Sequence, residues 1–257
     1  MTDPRRFEAG VMAVQVHADV RALARVVADE AAEVIRRAVA DRGEARAMFA
    51  TGNSQLAFTD ALVTATPDVP WDRVVVFHMD EYVGIGPDHL AGFQHWIRTR
   101  IVDRVHPLVA HYLDGRADPD PECTRYGALL AETPLDLCCL GIGVNGHLAF
   151  NDPPVADFDD PLDVKVVELD AVCRQQQVDE GHFPAMSEVP THALTVTIPA
   201  LLRAGTVLAV VPEARKAEPV RAALEGAVST DCPASVLRTR ANVRLHLDAE
   251  SAALLRR

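Results

Sequence analysis

The sequence has no apolar run approaching the ~20 residues needed to cross a bilayer. Its first residues, Met-Thr-Asp-Pro-Arg-Arg-Phe-Glu, lack the apolar core of a secretory signal. Positive charge is not in excess either: 25 Lys and Arg stand against 37 Asp and Glu, a net charge of −12. A nucleic-acid partner is not expected, because it would call for a basic face. Aromatic residues are scarce, at 5%. The five cysteines (Cys123, Cys138, Cys139, Cys173, Cys232) are odd in number and contain no Cys-x-x-Cys pair. A disulfide framework is therefore not expected, and the adjacent Cys138–Cys139 read as small core residues. Together these absences predict a reduced, cytoplasmic protein with no membrane segment.

What is present is Ala, Val and Leu in short apolar runs separated by helical patterns. Val20, Leu23, Ala24, Val27, Ala31, Val34, Ile35 and Ala38 recur at spacings of three and four, which predicts an amphipathic helix over Val20–Ala40, closed by Gly43. Strands are expected at 45–50, 73–77, 135–140, 164–169, 193–198, 207–211 and 243–247. Helices are expected near 55–65, 92–105 and 214–224, and a loop over 78–88. Alternating strands and helices imply βαβ units. With no repeat and no Ser/Gly-rich linker, residues 1–257 are expected to form a single α/β domain, an open, mostly parallel sheet with helices on both faces.

Three polar segments each follow directly on an expected strand, where open α/β sheets bind ligands. Thr51-Gly52-Asn53-Ser54 stands between a strand and a helix, a setting suited to a phosphate; the alternative is an ordinary turn with Asn or Ser as N-cap. His78-Met79-Asp80-Glu81-Tyr82 offers a shielded carboxylate able to act as a base, or else a solvated acidic loop. A metal on His78 and Asp80 lacks further ligands, so no metal is expected. Gly141-Ile142-Gly143-Val144-Asn145-Gly146-His147 combines a tight turn with one imidazole, and Asn145, Asn151 and Asp152 are near enough in sequence to orient it. Its glycines do not complete a dinucleotide fingerprint. Lys216 opens a helix at the same expected crevice. The three segments are predicted to converge on one small molecule.

Taken in order, these stretches resemble the glucosamine-6-phosphate deaminase family and its wider 6-phosphogluconolactonase-like superfamily. The likeness rests on Ala50–Ser54, Phe77–Gly84, Gly141–Pro153, Val189–Val196 and Arg215–Ala217. It implies a Rossmann-like sheet and a cofactor-free aldose–ketose isomerisation coupled to loss of ammonia. By position it implies Asp80 as the base between C2 and C1, His147 as the ring-opening group with Asn145 and Asp152 around it, and Thr51–Ser54 with Lys216 as the phosphate clamp.

Some positions depart from the family pattern. Asn145 stands where the typical deaminase has Asp, and Asp152 where it has Glu. Arg174-Gln175-Gln176-Gln177 replaces the part that carries a phosphate-contacting Arg, and Arg174 is the candidate substitute. The basic run that serves allosteric binding in some members is acidic here (Asp157, Asp159, Asp160, Asp163), so that regulation is not expected. The alternatives are a deaminase of galactosamine 6-phosphate, a 6-phosphogluconolactonase using His147 to activate water, and a sugar-phosphate sensor without turnover. The sequence leaves the oligomeric state open, a homo-oligomer included.

Overall fold

The computed structural model describes residues 4–179 and 181–256. In chain order the strands are β1 (Arg5–Ala9), β2 (Met12–His17), β3 (Ala45–Phe49), β4 (Val74–His78), β5 (Asp80–Tyr82), β6 (Val109–His111), β7 (Leu137–Leu140), β8 (Val164–Glu168), β9 (His192–Val196), β10 (Thr206–Val211) and β11 (Val243–Asp248). Eight of them form one sheet in the order β1-β2-β11-β10-β7-β3-β4-β6. Only the β1–β2 hairpin is antiparallel; every other neighbouring pair is parallel.

Helices cover both faces, and the alternation along the strands shows it. Ala47, Phe49, Val74, Val76, Leu137, Cys139, Leu208 and Val210 pack with the helix Val20–Arg42 and the helix Leu56–Ala65. Met48, Val75, Phe77, Cys138, Leu140, Val207 and Ala209 point the other way, toward Tyr126 and Leu130 of the helix Pro119–Glu132 and Val220 of the helix Ala217–Glu225. A parallel strand buried on both sides must be apolar at successive positions, which is why Cys138–Cys139 are both in the core. The first helix starts at Asp19, whose carboxylate accepts the Ala22 N–H at 2.9 Å, and ends at Gly43.

Several elements depart from expectation. The segment expected as a loop over 78–88 instead finishes β4 with His78 and then makes β5. That strand belongs to a second, three-stranded antiparallel sheet, β5-β9-β8. Beneath it Tyr82, Phe93, Phe150 and Phe183 cluster, with the Tyr82–Phe93 centroids 5.1 Å apart. Much of the chain's small aromatic content is spent there. The hairpin β1–β2, the short strand β6 and the helices Pro119–Glu132 and Ala171–Asp179 were also not predicted.

The strand order creates the crevice. After β3 the chain adds β4 and β6 toward one edge, whereas β7, beside β3 on its other side, is followed by β10 and β11 toward the opposite edge. The loops after β3 and β7 therefore diverge, and the gap between them at the strands' carboxyl ends is where such sheets hold ligands. No described helix is long and apolar enough to cross a membrane.

Candidate active site

One cavity at this switch point is lined by Thr51, Gly52, Asn53 and Ser54 after β3, by Asp80 after β4, by Gly143 and His147 after β7, and by Arg215 and Lys216 after β10. The structure thus brings together the three segments singled out from sequence, on one side of the sheet.

Asp80 sits where the chain leaves the large sheet for the small one. Met79 accepts the Val196 N–H at 2.8 Å, and Asp80 is opposite Thr195 in β9. The carboxyl is pinned at the cavity wall with 7% of the residue exposed. Burial, and then the charges of Glu81 and Asp152, push its pKa well above the usual carboxylate range. The neighbouring carboxyl has a different task. Glu81 accepts the N–H groups of Tyr82, Phe93 and Gln94 and so caps the helix Phe93–Ile97; burial still pushes it up to about 7. His78 is fully buried, accepts the Leu113 N–H at 2.9 Å and is pushed down to about 3 by burial. It is a neutral core histidine.

His147 is built from a folded-back loop. Gly143 N–H donates to the His147 carbonyl at 3.0 Å, and the imidazole lies on the glycine: a Cβ at position 143 would come within 2.1 Å of His147 Nε2. Asp152 Oδ1 is 2.8 Å from His147 Nδ1. A carboxylate so close favours the tautomer protonated on Nδ1, which leaves Nε2 able to accept a proton. Asp152 reaches the ring because Leu148–Asn151 turn tightly, with Ala149 at φ 50° and Asn151 Nδ2 donating to the carbonyls of Leu148 and Val196. Burial alone would raise the Asp152 carboxyl. The His147 imidazole, by hydrogen bond and charge, and the donors Asn145 and Cys173 outweigh burial and hold it below its ordinary value.

Asn145 is not on the cavity wall. Its Nδ2 donates to Asp152 Oδ1 at 2.8 Å and its Oδ1 accepts the His147 backbone N–H at 3.1 Å. Of the residues expected to orient the imidazole, Asn145 contacts the Asp152 carboxylate and the His147 backbone rather than the ring. His147, Asp152 and Cys173 also bring donor atoms within 4.8 Å of one another, and hydrogen bonding within the trio accounts for that closeness.

Two substitutions test this geometry. Gly143→Ala is expected to displace the imidazole and lower turnover by about 100-fold, checked by steady-state kinetics with a melting curve to establish folding. Asn145→Asp places a second carboxylate against Asp152 and removes a donor. Activity at neutral pH is expected to fall about tenfold, the loss easing as pH is lowered and the pair shares a proton; a gain at neutral pH would contradict the donor role.

At the end of the cavity formed by Thr51–Ser54 and Lys216, one expected residue is absent and others are present. Arg174 does not line the cavity. Its guanidinium donates to the carbonyls of Met186 and Val189, both at 2.8 Å, and holds the loop after the helix Ala171–Asp179. A long cation from a helix near the crevice was a fair candidate, but the helix turns that residue away. The same segment sends Gln176, Gln177 and His182 to the cavity instead. Arg215, beside Lys216, is a second cation there, ion-paired with Glu213 at 2.6 Å. Gln55 lines the floor. Arg215 was signalled by its adjacency to Lys216, and Gln176 and Gln177 by lying in the segment that replaces the family's Arg; Gln55 and His182 carried no signal in sequence.

A family profile described as glucosamine-6-phosphate isomerases/6-phosphogluconolactonase matches residues 18–246. The chain belongs to this family. It is 36% identical over 184 residues to the glucosamine-6-phosphate deaminase of Exiguobacterium sibiricum, covering 71% of each chain. It is 35% identical over 207 residues to that of Bacillus cereus, 80% of this chain and 76% of the other. A solved structure of a monomeric glucosamine-6-phosphate deaminase superposes with a TM-score of 0.86 at 29% identity, over 94% of this chain and 99% of that one. A 6-phosphogluconolactonase from Shewanella baltica shares the fold, with TM-score 0.76 and 18% identity over 92% of this chain and 97% of its own. In this chain Asp80 and His147, the latter backed by Asp152, stand in one cavity with the Thr51–Ser54 turn.

Proposed function

We propose that this chain is an amino-sugar-phosphate deaminase that converts glucosamine 6-phosphate to fructose 6-phosphate and ammonia. The observation that carries the reading is the buried Asp80 facing the same cavity as an imidazole with its own carboxylate and as a hydroxyl-rich turn beside two cations. The resemblance of sequence to the deaminases supports it.

The turn Thr51–Ser54 with Lys216 and Arg215 holds the phosphate and fixes where the sugar's other end falls. His147 Nε2 takes the O1 proton and the ring oxygen receives one, opening the ring to the aldehyde. Asp152 steadies the imidazolium formed meanwhile. Asp80 then takes the C2 proton, acidic because it lies beside a carbonyl, and returns it to C1, while the C1 oxygen takes up the proton that the substrate's ammonium group gives up. The product of that shift carries a C2 iminium, which water hydrolyses to ketone and ammonia. Each step is a proton transfer or a hydration, so the chemistry calls for no cofactor and no metal. The acidic net charge supports a small-molecule substrate rather than nucleic acid. The five unbonded cysteines support a cytoplasmic setting.

A lactonase would use His147 alone to activate water and would leave the raised basicity of Asp80 without a task. Incubation with glucosamine 6-phosphate is expected to yield ammonia and fructose 6-phosphate in equal amounts, unaffected by chelator. Galactosamine 6-phosphate and 6-phosphogluconolactone serve as the comparison substrates. If neither amino sugar released ammonia, the reading would fall, and hydrolysis of the lactone would replace it.

A further inference from the structure

We propose that Gln55 is a positioning residue that clamps the two halves of the anion grip together across the sheet's switch point. The position gives no local reason for glutamine. It opens the helix Leu56–Ala65, yet its side chain makes no cap to that helix. The residue is only 1% exposed, and a glutamine so buried must place its amide somewhere.

Its Nε2 donates to the Val210 carbonyl of β10 at 3.0 Å and to Ser54 Oγ at 3.2 Å. Between β3 and β10 lies β7, which ends at Leu140. The Gln55 amide crosses just beyond that end, where β7 no longer competes for the Val210 carbonyl. The crossing explains Gly141: a Cβ there would sit 3.0 Å from Gln55 Nε2 and 3.8 Å from the Val210 carbonyl oxygen. A single side chain therefore ties the turn after β3 to the strand that leads into Arg215 and Lys216, over the first residue of the loop that carries His147. Accepting from Gln55 also commits a lone pair of Ser54 Oγ and leaves its proton free to be donated into the cavity. The Oε1 atom has no hydrogen-bond partner among the described residues.

The role rests on the deaminase reading only for the identity of the anion's carrier. It is therefore tested first with inorganic phosphate by calorimetry, and then by the KM for glucosamine 6-phosphate. Gln55→Met is expected to weaken phosphate binding about tenfold and to raise KM by a similar factor, with kcat changed far less. Gly141→Ala, which presses on the amide without removing it, is expected to move both constants in the same direction. In a Gln55→Ala background, adding Gly141→Ala is expected to cost nothing further. If Gln55→Met does not fold, the Gly141→Ala pair of measurements decides. Unchanged phosphate affinity in a folded Gln55→Met protein would overturn the proposal, as would a Gly141→Ala penalty of equal size with and without Gln55. A wild-type protein that binds phosphate but releases no ammonia would defeat the deaminase reading and leave the clamp standing or falling on the phosphate data.

Discussion

Replacing Asp80 by asparagine is expected to lower turnover by about 1,000-fold or more while making the protein more stable. The loss of activity follows from removing the only cavity-facing carboxylate among the described residues placed to move a carbon-bound proton. Phosphate binding should survive nearly intact, because the turn Thr51–Ser54 and Lys216 do not depend on the Asp80 charge. The gain in stability follows from burial, which raises the Asp80 pKa in the folded protein, with Glu81 and Asp152 adding to it. A carboxyl whose folded pKa is raised contributes stability that is present at low pH and lost as pH rises through the folded value. Asparagine escapes that loss. The difference in melting temperature should accordingly be small near pH 4 and grow toward pH 8, at about 2–4 °C for each kcal/mol gained. The wild-type rate should follow the opposite course, rising with pH as Asp80 loses its proton. Turnover close to wild type in Asp80→Asn would remove the residue from the mechanism, and a melting difference independent of pH would remove the charge-burial argument.

The second large effect is expected at the imidazole. His147→Gln should reduce deamination of glucosamine 6-phosphate by about 100- to 10,000-fold. The loss should be much smaller for an open-chain analogue, which needs no ring opening. Asp152→Asn should follow the same pattern, since an amide cannot stabilise the imidazolium by charge. It should also destabilise the protein, because the donors of Asn145, His147 and Cys173 all converge on that buried carboxylate. Equal losses on closed and open substrates would show that the His147–Asp152 pair serves the proton shift instead, a task here given to Asp80.

How far the sequence reaches can be judged from particular residues. The helix Val20–Arg42 was legible because its apolar residues repeat with the helical period over many turns and both ends are marked. The core strands were legible as short apolar runs. β5 was not, because Asp80-Glu81-Tyr82 is polar and all three residues are buried for different reasons: a cavity wall, a helix cap and an aromatic cluster. The hairpin β1–β2 was missed as well, since residues such as Arg5, Glu8 and Gln15 hide its alternation.

The same division runs through the site. Thr51–Ser54, Asp80, His147 and Lys216 could be found from sequence because each follows a strand, and topology alone sends strand ends to a common crevice. Arg174 and Gln55 could not be sorted that way. Whether a side chain enters a cavity depends on the rotation of its helix and on which carbonyls lie within reach, and those are set by neighbours distant along the chain. Arg174 is claimed by the carbonyls of Met186 and Val189, and Gln55 by that of Val210. Local order in the sequence determined where the cavity lies. Which side chains line it was decided only by the packing of segments brought together from across the fold.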